Sequence, residues 1–585
     1  MKGFPLSVLV ALVLGSTPAT AQVSEAPPLE ILYGFTLIDG RGGPPLSDAA
    51  LALRGNEILA VSTRRLLLSG PDAPRDATVT DLGGGYVIPG LIDTHVHLAT
   101  SPNRERAEAE LERLLYGGVL AVRDMAGDAR ALASLARDTR LGRVDGPDVY
   151  FSALMAGPSF LADPRPQASA AGEKAGEVPW MQAITSDTDL VRAVARAKGT
   201  YATGIKIYAN LEPDLVRAVT EEGHRQGMEV WAHSMVFPTR PLEVVAAGVD
   251  VVSHVCRLAW EGMAEAPVEY HHDQVPRYDR VTADSRVFTE LFAAMRRRGT
   301  ILDATLAMYA RAEEDPESEL SDRCPPDFAR ALVRRAHEEG VPVVTGTDFT
   351  APPEEPFPSL FEEMEELVAS GAMSSMATLE SATRIAAEAL GIEDRYGVVE
   401  AGRPVSFVLL EESPLQDIAN LRTVRAVWKN GERFPRERFR LPPPLGDEEE
   451  TPSGAASPRE ALEAWLAAWR SYDLDRLDDI FLEEDDLTFF PSDGQEVLRG
   501  YDAVEAWHRA QGFVPGGFAP QEELWLEDVV VANFDRSAVI TAVWRFGNRV
   551  APEGRARGRL TVVLLRTPAG YRISHVNMGR YGGSP

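Results

Sequence analysis

Cysteine is nearly missing from this chain: its 585 residues hold only Cys256 and Cys324. At most one disulfide can form, so no cysteine framework supports the fold. In so large a protein both are expected as free thiols, with Cys256 alternatively lining a site beside the nearby His254. Clustered basic stretches are also absent, in a sequence of formal net charge −29. Their absence argues against nucleic acid and anionic membrane as partners. The apolar stretch from Phe4 to Gly15 is too short to span a bilayer. Neither an internal repeat nor a heptad run is evident. What remains is globular, with 44% apolar residues, enough at this length for two or three sizeable cores.

Residues 87–98 read VIPGLIDTHVHL, and His95 and His97 sit where an apolar run ends. On a strand, residues i and i+2 project to the same side, so the pair can close on one metal ion. The alternative is two histidines that merely decorate a strand edge. Pro89 and Gly90 break the backbone just before, as suits a chain entering a barrel. Later apolar segments also end on ligand-type side chains: Lys206 lies in TGIKIYAN, His233 ends MEVWAHS, His254 ends VDVVSHV and Asp348 ends VPVVTGTD. By contrast, His224 and His337 fall near the ends of helical stretches, where surface or capping roles are expected. His271 and His272 lie in an irregular polar loop.

Strand-like runs occur near 91–97, 119–124, 148–154, 203–209, 228–233, 250–254, 300–305 and 342–348, most of them separated by Ala-, Arg- and Glu-rich helical stretches. Such alternation implies a parallel sheet with right-handed crossovers, and eight units predict a closed (β/α)8 TIM barrel. A barrel gathers the C-terminal ends of its strands over one face. The candidate ligands would then meet there, from strands one, four, five, six and eight. The long loops at 155–185 and 256–285 are expected to shape the pocket.

With these residues the chain resembles the amidohydrolase superfamily, near its imidazolonepropionase-like and prolidase-like branch. VIPGLIDTHVHL, GGVLAVRDMAG, GIKIYANL, WAHS, VVSHV and TGTD carry the resemblance, with the helical SMATLESATRIAAEALGIEDRYGVVEAGR and the tail SPLQDIANLRTVRAVWKNG. It covers about residues 29 to 434, and the ordered set HxH, Lys, His, His, Asp is more specific than any single motif. GRPVSFVLL departs from the pattern by lacking the acidic residue relatives carry before that strand.

The resemblance implies a hydrolase holding two divalent metal ions, zinc foremost. His95, His97 and Asp348 would bind the buried ion, and His233 and His254 the outer one. Lys206, converted by CO2 to a carbamate, would join them; a plain Lys206 paired with an acid such as Asp124 is the alternative. Asp348 is the expected general base and then acid. Tyr208, two residues beyond Lys206 on the same strand face, and Arg257, just after His254, are candidates to hold substrate. A rim aromatic that only packs and an arginine with no such work are the plainer readings. The expected reaction is amide hydrolysis, of the prolidase-like dipeptidase kind first. Lactone, ester or phosphotriester hydrolysis, and a non-catalytic binding protein, are the alternatives.

The flanks, 22–86 and 397–440, alternate short β-rich runs with Gly-rich turns and are expected to meet as a small β-sandwich beside the barrel at 87–396. Residues 441–458, LPPPLGDEEETPSGAASP, read as a linker. Beyond it, 459–585 shows helices followed by long strands and resembles the SnoaL-like, nuclear-transport-factor-2-like cone fold, an α+β domain. That implies architecture and little chemistry. There His508 beside Trp507 is expected on a helix surface, and His575 inside. At the N-terminus, Lys2, the apolar stretch and Ala19-Thr20-Ala21 predict a cleaved secretory peptide, 1–21, hence a secreted or periplasmic protein without membrane insertion. The expected partner is a small molecule or dipeptide, and self-association into a homo-oligomer stays open.

Overall fold

The computed structural model describes residues 27–441 and 455–581, apart from 71–73, 75, 101–102, 171, 272–273, 315–323, 353, 456, 483–486, 493–496, 518–522, 535–536, 548–555 and 568–569. The expected signal peptide, nearly all of the expected linker and His272 therefore lie outside the described residues. Among the described residues, no helix is long and apolar enough to cross a membrane.

Eight strands form the barrel: β1 (Leu91–Val96), β2 (Val119–Asp124), β3 (Asp148–Ala156), β4 (Gly204–Ile207), β5 (Glu229–His233), β6 (Val251–Ser253), β7 (Ile301–Asp303) and β8 (Val343–Val344). They pair in parallel in chain order from β1 to β8. Closure comes from backbone bonds: Thr94 N–H donates to Thr345 O at 3.0 Å and Asp348 N–H to His95 O at 2.8 Å. Nearly every strand residue is buried, as expected of a parallel sheet covered by helices outside and filled within. The helices cover it with one apolar face each. In Ala129–Arg140, Leu132 and Leu135 point inward, and Asp128 caps the first turn by accepting from Arg130 N–H at 2.9 Å.

Beside the barrel, strands from Leu29 to Pro89 combine with Phe407–Leu410, Val424–Lys429 and Glu432–Pro435 in one eight-stranded sheet. Leu32, Phe35, Leu51, Val87, Phe407 and Trp428 share a core, so both ends of the sheet curl over the same interior. The sheet takes in Tyr86–Pro89 before the chain enters β1. Asn430 and Gly431, at φ +50° and +86°, make the two-residue hairpin turn expected of Asn-Gly. Lys429 reaches from this sheet to Asp148 Oδ1 at 2.9 Å and Gly146 O at 2.7 Å, a buried ion pair fastening sheet to barrel.

Three sequence expectations fail. Cys256 and Cys324 are not free thiols: they form a disulfide, with Cα atoms 6.0 Å apart across 68 residues of chain. Folding brings the turn after β6 against the start of helix Pro326–Glu338, a proximity that spacing in the sequence does not reveal. His508 is not on a helix surface either. In the C-terminal domain, helices Pro458–Ser471 and Tyr501–Ala510 pack on a six-stranded sheet, and His508 is fully buried among Trp469, Phe481, Phe489 and Phe513. Its Nδ1 donates to Val504 O at 2.8 Å, which leaves Nε2 to accept from Trp465 Nε1 at 3.5 Å. Nor does His575 lie inside: adjacent residues of a strand face opposite sides, so with Val576 in the core it is half-buried on the other face, bonded to Thr488 Oγ1 at 2.7 Å.

Burial pushes the His508 imidazole down to about 4. The unfolded chain therefore takes up a proton near the ordinary histidine value while the folded domain does not. Stability is full above about pH 6.5, falls as pH drops toward 4, and by then has lost about 3 kcal/mol from this group. Calorimetric scans across that window should show the C-terminal transition moving down, and His508→Phe should flatten the slope. An unchanged slope in the variant would reject this role.

Candidate metal centre

Strand ends place the site. His95 is the last but one residue of β1, Lys206 lies in β4, His233 ends β5, and His254 and Asp348 follow β6 and β8. All of these, with His97, Tyr208 and Arg257, line one cavity of about 380 Å³ at the C-terminal mouth of the barrel. His254, Thr305 and Asp348 hold positive φ, at +75°, +49° and +60°, where β6, β7 and β8 give way to loops. Three strained non-glycine residues in one ring of loops are the backbone signature of a functional site.

Buried carboxylates hold this ring in register. Asp93 accepts from His95 N–H at 3.0 Å, Thr347 N–H at 3.2 Å and Thr347 Oγ1 at 2.9 Å, tying β1 to the loop after β8. Glu363 accepts from Leu306 N–H at 3.0 Å and Ala307 N–H at 2.6 Å, fixing the helix that follows β7. Burial raises both, Asp93 to about 7 and Glu363 to about 8. Gly346 is required by close approach: a Cβ there would stand 2.3 Å from Asp303 Oδ1 and 2.7 Å from His95 Cβ.

The imidazoles converge on Asp348. His97 Nε2 lies 2.9 Å and His95 Nε2 3.4 Å from its Oδ1, and His254 Nδ1 lies 3.7 Å from Oδ2. His95, His254 and Asp348 offer donor atoms within 4.8 Å of one another. The grouping of His95 and His97 with Asp348 around one ion, and of His254 around another, is therefore not separated in the side-chain positions. The His233 ring lies 4.9 Å from that of His254, and its buried Nδ1 has no hydrogen-bond partner among the described residues. Lys206 is buried, and among the described residues its Nζ meets only Ser253 Oγ, at 3.5 Å. It does not pair with Asp124, whose Oδ2 accepts from Leu98 N–H at 2.6 Å.

The charges agree with a cation site. Burial first, then neighbouring positive groups, holds His233 far below the usual imidazole range, and burial does the same to His254, so the neutral, ligating form is favoured at both. Burial lowers His95 against the pull of Asp348 and Asp303, while at His97 burial is outweighed by the hydrogen bond and charge of Asp348, which raise it. Burial pulls Lys206 down to about 7. Burial would raise Asp348, but His95 and His97 outweigh it and hold the carboxyl well below its ordinary range. Neutral imidazoles at His233 and His254, an anionic carboxylate and an orphaned buried nitrogen fit a divalent metal.

Asp303, at the end of β7, is the functional residue that sequence reasoning missed. Its Oδ2 accepts from His95 Nδ1 at 2.8 Å, Arg123 Nη2 at 3.0 Å and Ser253 Oγ at 2.9 Å. The carboxylate thus fixes the His95 tautomer that leaves Nε2 free for a metal. The available signal was TILDAT, an aspartate ending a strand already counted toward the barrel. Asp303→Asn should weaken metal affinity about 10- to 100-fold, read by competition with a chelator. Unchanged affinity would refute this positioning role.

A closed parallel barrel whose C-terminal mouth gathers histidines, a buried lysine and an aspartate defines a barrel hydrolase with a metal-type donor set. The chain belongs to the amidohydrolase family, whose model matches residues 86–434, and it is a hydrolase acting on carbon–nitrogen bonds. Residues 459–578 match the SnoaL-like domain. The chain is 27% identical over 418 residues to imidazolonepropionase of Ralstonia nicotianae, covering 67% of this chain and 94% of that protein. It is 25% identical over 393 residues to the Klebsiella pneumoniae imidazolonepropionase, covering 63% and 88%. Among solved structures, A. niger ochratoxinase superposes with TM-score 0.56 at 22% identity, covering 70% of this chain and 96% of that one. A Xaa-Pro dipeptidase with bound methionine in its active site gives 0.55 at 22%, covering 70% and 100%. At these identities the structural likeness establishes the fold.

Proposed function

We propose that this protein is an exported, binuclear metal-dependent hydrolase of amide bonds in dipeptides or N-acylated amino acids, close in activity to prolidases. The observation that carries the reading is the convergence of His95, His97, Lys206, His233, His254 and Asp348 on one cavity, with His233 Nδ1 buried and unpaired among the described residues. His95, His97 and Asp348 would hold one ion, His233 and His254 the other, and a carbamate on Lys206 would join the two sets. The ions, zinc in this proposal, would supply Lewis acidity to the scissile carbonyl and acidify water. Asp348 accepts the proton of the attacking water and returns it to the leaving amine. Tyr208 and Arg257 line the substrate side of the cavity. The Xaa-Pro dipeptidase with methionine in its active site supports an amino-acid-derived substrate, and Met125, Leu154, Met181 and Met308 supply a matching apolar wall.

The test is to load purified protein with zinc and assay dipeptides, N-acyl amino acids, lactones and phosphotriesters. Preferred turnover of a lactone or phosphotriester would replace the amide reading. Two ions per chain by elemental analysis are expected, and one would end the binuclear reading. Because every proposed ligand lies before the C-terminal domain, a chain ending at Arg440 should stay folded and keep its metal. Loss of metal from a soluble truncation would refute that modularity.

A further inference from the structure

The loop after β3 reaches back over the cavity with Phe160 and Arg165, and both of them grip Tyr208. Phe160 stacks on the Tyr208 ring at 4.3 Å between centroids, and the same ring meets His233 at 3.9 Å. Arg165 is oriented by Asp163, to which Nε donates at 3.0 Å and Nη2 at 2.9 Å. The rest of the fork crosses to two phenols on different loops. Nη1 lies 3.4 Å from Tyr208 Oη and Nη2 3.2 Å from Tyr270 Oη. Tyr270 is held independently, its N–H donating to Asn210 Oδ1 at 2.7 Å.

A guanidinium can only donate, so both phenol oxygens accept from Arg165. Their own hydrogens must then point elsewhere, and no described residue accepts either one. Arg165, Tyr208 and Tyr270 line the same cavity as the metal-type donors. We propose that Arg165 is a positioning residue that turns the hydroxyls of Tyr208 and Tyr270 into a pair of donors for the oxygens of an N-acylated amino acid. Tyr208, beside His233, faces the acyl oxygen near the donor set. Tyr270, whose ring centroid stands 5.9 Å from that of Tyr208, faces the carboxylate end. The substrate class follows from this: two separated acceptor groups on an apolar body, one at the reacting amide and one remote from it.

This inference rests on the amide-hydrolase reading. The probe is N-acetyl-L-methionine, assayed beside the panel above with wild type, Arg165→Met, Arg165→Lys, Tyr208→Phe, Tyr270→Phe and the Arg165→Met/Tyr208→Phe pair. Arg165→Met should lower kcat/KM about 10- to 100-fold with metal content unchanged, because two oriented hydrogen bonds to substrate are lost. Tyr208→Phe should act mainly on kcat and Tyr270→Phe mainly on KM. The double variant should be worse than Tyr208→Phe only by about the loss seen in Tyr270→Phe, since Arg165 acts through both hydroxyls. Arg165→Lys, which keeps the charge but loses the planar fork that spans Asp163 and both phenols, should recover part of the loss and also covers the case in which the methionine variant fails to fold. Wild-type kinetics in both Arg165 variants, or losses that simply multiply in the double variant, would overturn the proposal. If wild type hydrolyses neither the probe nor any amide of the panel, the amide reading itself falls and takes this inference with it.

Discussion

Asp348→Asn is expected to lose on the order of 10³-fold in turnover while retaining most of its metal. The substitution keeps shape and one ligating oxygen, and asparagine tolerates the φ of +60° that position 348 requires. What it removes is the anionic oxygen that accepts a proton from the attacking water. The wild-type carboxyl is held low by His95 and His97, so it stays ionised through the whole working pH range. Loss of activity in the variant should therefore persist at every pH tested. Steady-state kinetics from pH 5 to 9 with parallel elemental analysis decide it, and near-normal rates would remove Asp348 from its assigned role.

Lys206→Met should lower the metal content from two ions to one and turnover by about 10² or more. Methionine fills the volume of a buried side chain without its charge, so the barrel should remain folded. Among the described residues the wild-type amine has no carboxylate partner within bonding distance and meets only Ser253 Oγ. A neutral amine combines with CO2 to give a carbamate and a proton, and bicarbonate in the growth medium should raise the second metal's occupancy in wild type only. A variant with full metal content would leave Lys206 as an ordinary core lysine.

The C-terminal domain shows how local reading fails at a single residue. The helix carrying His508 was legible from its spacing, yet the helix face that His508 occupies was not. Trp507 and His508 are adjacent, and helical periodicity alone does not say which of them the sheet will cover. Its aromatic shell comes from Trp469, Phe481, Phe489 and Phe513, which only packing brings together.

The eight strands, their parallel order and the ends that carry His95, His97, Lys206, His233, His254 and Asp348 were readable along the chain. Each is a local property: an apolar run, a break, and a polar side chain where the run stops. A parallel barrel then brings those ends together whatever the details of its loops. The partners that give these residues their chemistry were not readable, because each depends on distances between segments far apart in the chain. Asp303 meets His95 across 208 residues, Cys256 meets Cys324 across 68, and Arg165 reaches Tyr208 and Tyr270 from a separate loop. No periodicity encodes such meetings. They are set by barrel curvature and loop packing, which exist only once the whole chain has closed.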